Sequence, residues 1–232
     1  MPRHVVVLGG GATGEAFLGA LHRLDTDVRV TLVEHELVGG ECSYWACIPS
    51  KTLLRPVEVA FRARQTPGVS SQVDPVQVFK WRDEVADKDD TSQVEWVRKH
   101  GAEVVKGTAR IVAPRRIDVD GQELAYDELM VATGSVPVMP PIEGLAEVGA
   151  WTSREGTSAE AVPESLIVIG GGAVGCELSQ FYARAGSRVA LVQSGDYLLP
   201  RVDRTPARHS TTSRPGEMVK CDEACQDSFP RK

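Results

Sequence analysis

The chain has 232 residues, 42% of them apolar and 25% charged, with 32 acidic against 26 basic side chains and a net charge of −6. That is the balance of an ordinary globular protein rather than a disordered or fibrous one. An acidic chain without a Lys/Arg block makes nucleic acid an unexpected partner, and apolar runs of about five residues fall short of the ~18–20 that cross a bilayer. In chain order, Val5–Leu8 is a short apolar run that reads as a strand buried on both faces. Gly9-Gly10-Gly11-Ala12-Thr13-Gly14 follows, then a helix from about Thr13 to Leu24 and a second strand, 28–33, ending at Glu34. Residues 41–64 read as mostly helical despite Pro49 and Pro56, and 76–100 has helical spacing. Short strands with turns at Gly107, Pro114 and Asp120-Gly121 fill 103–119, and 128–133 is another strand. Pro137, Pro140 and Pro141 make a stiff connector.

Beyond the connector the opening pattern returns. A strand at 166–169 runs into Gly170-Gly171-Gly172-Ala173-Val174-Gly175, then a helix over 177–185 and a strand over 188–192. The two glycine turns begin 161 residues apart, an internal duplication and not a solenoid period. Residues 201–232 hold only 8 apolar side chains in 32 positions and no period, and read as a disordered tail. The N-terminal apolar run is too short for a signal-peptide core, and the reading is cytoplasmic. Five cysteines, an odd and sparse set, argue against a structural disulfide framework.

Each glycine turn sits between an apolar strand and a helix, the context in which G-x-G-x-x-G cradles a pyrophosphate at a helix N-terminus. Gly9, Gly11 and Gly14 fit the first copy, and Glu34, 20 residues past Gly14, is placed to accept both ribose hydroxyls. Gly170, Gly172 and Gly175 fit the second, where the corresponding residue is the neutral Gln193, which leaves NADH and NADPH both open. Between them lies Gly39-Gly40-Glu41-Cys42-Ser43-Tyr44-Trp45-Ala46-Cys47-Ile48-Pro49-Ser50-Lys51. In one regular helix Cys42 and Cys47 would be ~7.5 Å apart along the axis, beyond the ~4.4–6.8 Å that a disulfide spans between Cα atoms. The pair closes only if the first turn is distorted. A thiol at a helix N-terminus has a lowered pKa, and packing alone does not account for Gly39-Gly40 or for Pro49-Ser50-Lys51.

These motifs, with Val131-Ala132-Thr133-Gly134 and its following prolines, resemble the FAD-dependent pyridine nucleotide–disulfide oxidoreductases, the family of dihydrolipoamide dehydrogenase, glutathione reductase and mercuric reductase, over roughly residues 3–200. The resemblance implies an α/β fold of FAD/NAD(P)-binding Rossmann-like, three-layer domains: a FAD domain over 1–148, an incomplete NAD(P) domain over 149–200, then the tail. It implies FAD on Gly9, Gly11, Gly14 and Glu34, with Thr133 and Gly134 lining the flavin nucleotide, and NADH or NADPH on Gly170, Gly172 and Gly175. Electrons would pass from NAD(P)H through FAD to a Cys42–Cys47 disulfide and on to a small-molecule disulfide or similar acceptor. Cys47 would be the charge-transfer thiol and Cys42 the interchange thiol, with Lys51 near the flavin and Glu177 as its ion-pair partner. Tyr44, Trp45 and Ala46 depart from the family's usual residues between the cysteines, and either reshape access to the disulfide or only pack.

The family's later Gly-Asp flavin segment and its C-terminal dimer domain, with a His/Glu pair, are not found in the sequence. A chain truncated within its NAD(P) domain, without the family's homodimer interface, is therefore expected, and the alternative to an enzyme is a truncated or frameshifted, non-catalytic nucleotide-binding remnant. None of the five histidines matches a catalytic context, and most read as solvated. His209 with Cys221 and Cys225 is not a zinc spacing, so no metal is expected.

Overall fold

The computed structural model describes residues 2–24, 27–195 and 198–199, and the backbone of 218–221. The chain divides into two compact units, Met1–Cys47 with Ala86–Pro140, and Ile48–Val85 with Pro141–Lys232. This division does not follow chain order at residue 148, because residues 48–85 pack with what comes after the proline connector.

In the first unit, β1 (Arg3–Leu8), β2 (Val28–Glu34), β3 (Ala102–Lys106) and β7 (Glu128–Val131) form a parallel sheet in the order β3-β2-β1-β7. The remaining strands β4 (Ala109–Ala113), β5 (Arg116–Val119) and β6 (Gln122–Ala125) form an antiparallel sheet. The uninterrupted Val5–Leu8 run is explained by cover on both faces. Val5 and Val7 pack with Leu18 of α1 (Ala12–Arg23), Leu32 and Val97 of α5 (Thr91–Lys99). Val6 and Leu8 face the other way, against Ile117 and Val119 of β5. Alternate side chains of one strand thus enter two cores, giving three layers of helix, parallel sheet and antiparallel sheet. Asp120 (φ 48°) and Gly121 (φ 92°) make the tight hairpin that their sequence predicts.

Some sequence readings change. His4 is buried, not solvated: its Nδ1 lies 2.8 Å from the Ala125 carbonyl and its Nε2 2.9 Å from Thr31 Oγ1. The helix expected over 41–64 is two helices, α2 (Gly40–Tyr44) and α3 (Cys47–Arg64), broken at Trp45-Ala46. Pro49 falls in the first turn of α3, where its missing N–H costs nothing. The helical stretch expected over 76–100 is also two helices, α4 (Pro75–Val85) and α5, divided between the units.

The second unit has its own core. Leu53 and Val57 of α3, Val78 and Phe79 of α4, Phe181 and Tyr182 of α7 (Ala173–Arg184), and Leu191 of β9 (Arg188–Val192) are all buried in it. Arg82 is also buried, donating to the Thr157 carbonyl at 2.6 Å and the Ala159 carbonyl at 2.9 Å at the end of α6 (Ser153–Ser158). Strand β8 (Ser165–Ile169) pairs parallel with β9, and β10 (Met218–Cys221) pairs antiparallel on the other edge of β9. Of the disordered tail expected over 201–232, only the backbone of 218–221 is described, in that pairing with β9; the rest lies outside the described residues.

Candidate nucleotide and dithiol site

The first glycine turn leaves the carboxyl end of β1, the edge at which parallel sheets take ligands. Gly9 has φ 103°, and a Cβ there would lie 2.2 Å from the Ala132 carbonyl oxygen. A Cβ at Gly14 would lie 2.1 Å from the Gly9 carbonyl oxygen, so α1 can seat on the turn only with glycine at that position. At Gly11, by contrast, the nearest atom to a built Cβ is 3.8 Å away, and Gly11 caps α1 without any side chain bonding to the helix's first N–H groups. The turn thus offers backbone donors and an open approach, a cradle that fits a pyrophosphate. Glu34, buried at the end of β2, accepts from Gly10 N–H through Oε2 at 2.7 Å and from Glu36 N–H through Oε1 at 2.8 Å. His35 Nδ1 also lies 3.1 Å from Oε1, so Oε2 is the carboxylate oxygen with acceptor capacity left for a ribose hydroxyl. Thr133 and Gly134 (φ 71°) stand exposed just past β7, with Thr133 Cα 3.2 Å from the Cβ position of Gly9.

The second turn repeats this geometry. Gly170 has φ 106°, a Cβ at Gly175 would lie 2.0 Å from the Gly170 carbonyl oxygen, and a Cβ at Gly172 would meet nothing within 4 Å. Gln193 occupies the place of Glu34, with its Oε1 accepting from Gly171 N–H at 2.8 Å.

Packing does account for Gly39-Gly40, contrary to the sequence reading. Gly39 bridges to Gly11 and donates to the Gly10 carbonyl at 2.7 Å, and a Cβ on Gly40 (φ 61°) would lie 2.7 Å from Gly11 Cα. The two glycines let α2 dock directly on the nucleotide turn. Tyr44 and Trp45 are buried, with rings 5.6 Å apart, and Tyr44 Oη donates to the Val38 carbonyl at 2.9 Å. Of the two roles open to these aromatics, their placement matches packing.

Cys42 lies on α2 and Cys47 is the first residue of α3, so the break between the helices relieves the spacing that one helix would impose. Cys42, Cys47 and Cys176 are thiols, and the side chains of Cys42 and Cys47 are hydrogen-bonded. The Cys47 partner, with desolvation second, raises the Cys42 pKa above its ordinary 9.0. That is opposite in direction to the lowering expected from a helix N-terminus.

In the second unit, Lys51 Nζ donates to both carboxylate oxygens of Glu177 at 2.7 and 2.6 Å, bringing α3 and α7 together at the expected pair. Ser50, part of the Pro49-Ser50-Lys51 motif but given no role by the sequence, has its Oγ 3.4 Å from Glu177 Oε2. Among the described residues no group of three or more His, Cys, Asp or Glu could hold a metal, and no helix is long and apolar enough to cross a membrane. Of the suspected tail cluster, His209 and Cys225 lie outside the described residues, and Cys221 is described only in its backbone.

The family model for pyridine nucleotide-disulphide oxidoreductases matches residues 3–214. The chain belongs to this family. Mercuric reductase of Bacillus cereus is 33% identical over 204 residues, a stretch covering 85% of this chain but 32% of that protein. Dihydrolipoyl dehydrogenase of Acholeplasma laidlawii is 31% identical over 209 residues, covering 86% and 62% respectively. The solved HOCl-induced flavoprotein disulfide reductase RclA of Escherichia coli superposes with a TM-score of 0.75 at 26% identity, covering 89% of this chain and 45% of that one. The chain thus spans about a third to three-fifths of the length of these relatives. Members of the family use FAD and NAD(P)H.

Proposed function

We propose that the chain carries the nucleotide turns and the redox dithiol of an FAD-dependent NAD(P)H:disulfide oxidoreductase. The observation that carries this reading is the hydrogen-bonded Cys42–Cys47 pair, with Cys42 on α2, which docks by glycine contact onto the first nucleotide turn, and Cys47 opening α3. Bound FAD and NAD(P)H would supply an electron pair. Glu34 would accept a ribose hydroxyl of FAD while Gly10 and Glu36 N–H hold its carboxylate in place. Gly9, Gly11 and Gly14 would admit the FAD pyrophosphate, and Gly170, Gly172 and Gly175 that of NAD(P)H, with Thr133 and Gly134 beside the flavin nucleotide. Lys51 would present positive charge where reduced flavin becomes anionic, with Glu177 fixing the ammonium.

The dithiol chemistry balances as two exchanges. The Cys42 thiolate attacks one sulfur of an acceptor disulfide, that S–S bond breaks, one thiol leaves with a proton, and a mixed disulfide forms at Cys42. Cys47 then attacks Cys42 Sγ, expels the second thiol and closes the Cys42–Cys47 disulfide; one electron pair and two protons restore the dithiol.

Purified protein is tested by its flavin absorbance with and without NADH or NADPH, followed by a thiol count. The expected result is bound flavin bleached by the nicotinamide, with two thiols gained on reduction and neither gained in Cys42→Ser. A colourless protein overturns the reading. Flavin that binds but is never bleached favours a nucleotide-binding module without turnover. The observation on that side is the three-stranded second sheet, whose Ile167 (69%) and Ile169 (48%) remain exposed.

A further inference from the structure

The geometry points to Asp90 and Lys106 as positioning residues that tie the nucleotide carboxylate, Glu34, to the Cys42 helix through the loop between them. This rests on the proposed function and deepens it, since one clamp then holds both the FAD end and the dithiol end of the site. Residues 35–38 join the end of β2 to Gly39 and α2. Glu36 N–H donates to Glu34 Oε1 at 2.8 Å, and the Glu36 carbonyl accepts from Lys106 Nζ at 2.8 Å. Val38 N–H donates to Asp90 Oδ2 at 2.8 Å, and the Val38 carbonyl accepts from Tyr44 Oη at 2.9 Å. Asp90 Oδ2 also accepts from Lys106 Nζ, which closes the clamp. The pair thus grips the backbone on both sides of Leu37, whose carbonyl takes the N–H of Gly40, the first residue of α2, at 3.0 Å.

Two observations separate this from ordinary loop packing. Asp90 stands at the N-cap of α5, where an aspartate normally accepts from the first-turn N–H groups, yet its side chain makes no such bond. The carboxylate is directed to the loop and to Lys106 instead. Its neighbour Asp89 serves the helix start, accepting from Thr91 N–H at 2.9 Å and from the Thr91 hydroxyl. The same segment also reaches the far end of α2, where Lys88 Nζ lies 5.8 Å from the Trp45 ring at the break between the two cysteine helices. Burial and the nearby Asp90 carboxylate push Tyr44 up to about 12, so its phenol stays protonated as the donor to Val38. The Asp90 side chain is 17% exposed and that of Lys106 43%, so water screens the pair less than a surface ion pair. A shift of the loop would move the Glu36 support of Glu34 and the start of α2 together.

The test has two readouts, neither of which needs turnover. The full chain, freed of flavin, is titrated with FAD by flavin fluorescence, and the alkylation rate of Cys42 is followed without FAD by site-resolved mass spectrometry. Asp90→Ala should weaken FAD by about tenfold and speed Cys42 alkylation by about threefold or more. Asp90→Asn, whose Oδ1 can accept from both donors, should restore most of both. Lys106→Met should follow Asp90→Ala, and carries the test if that variant does not fold. Asp89→Ala should lower the melting temperature without moving either readout. The inference is overturned if the folded clamp variants leave both readouts unchanged or move only one of them. It is also overturned if Asp89→Ala moves both as far, which would reduce the clamp to general support of α5. A wild-type chain that binds no FAD sinks the proposed function, and this inference with it.

Discussion

At Cys42 two local effects point in opposite directions. A short helix N-terminus favours a thiolate, but the hydrogen bond to Cys47 and desolvation together favour the protonated form. Cys47→Ala removes the largest cause of the rise, so the pH midpoint of Cys42 alkylation, followed site by site by mass spectrometry, should fall; an unchanged midpoint would show that the thiols do not share a proton. At Lys51 and Glu177 the magnitudes run the other way. Their side chains are 60% and 30% exposed, so Lys51→Met should cost less than about 1 kcal/mol of stability. Arg82 is buried and serves two carbonyls, so Arg82→Met should cost about 2–4 kcal/mol. Urea midpoints for the two variants separate a charge kept for chemistry from one kept for structure.

Among the elements, the glycines of the first turn divide into two kinds. Gly14→Ala would drive a Cβ into the Gly9 carbonyl, costing about 1–3 kcal/mol and disturbing the seat of α1. Gly11→Ala meets only Gly40 Cα at 3.8 Å, an ordinary contact, at an ordinary φ of −79°, so it should leave the melting temperature nearly unchanged while removing retained flavin. If both variants lost stability equally, Gly11 would be structural and the cradle argument would fail. Helix α6 went unread because it is short, yet its Thr152–Glu155 capping box is a sequence signal that could have found it. Thr152→Ala should cost about 1 kcal/mol. The breaks at 45–46 and 86–90 were not legible, because helical spacing continues across them and only packing partners decide where a helix stops.

At the scale of the molecule, three cores carry the fold among the described residues, two flanking the parallel sheet of the first unit and one inside the second. They enclose groups that resist ionisation: burial pushes Cys176 up to about 11 and Tyr182 up to about 12. These folded values exceed the ordinary 9.0 and 10.0, so above pH 9 the unfolded chain releases protons that the folded chain holds. Stability should therefore fall as pH rises from 9 through 12. Cys176→Ala should remove the first part of that fall, between the ordinary thiol and tyrosine values. Denaturant midpoints measured across this range check the sign; a flat profile would contradict it.

The sequence by itself determined the repeated strand–turn–helix–strand, the family, and the residues to inspect, because G-x-G-x-x-G after an apolar strand and two cysteines before Pro-Ser-Lys are local patterns with few alternative readings. It also marked the substitution of Gln193 for an acid. Tertiary structure alone decided that Gly39-Gly40 are spacers against Gly11, that His4 is buried, that residues 48–85 join the second unit, and that Met218–Cys221 pair with β9. Each of these depends on a partner far away in sequence, and a backbone N–H or a carbonyl oxygen at van der Waals distance leaves no periodicity to read.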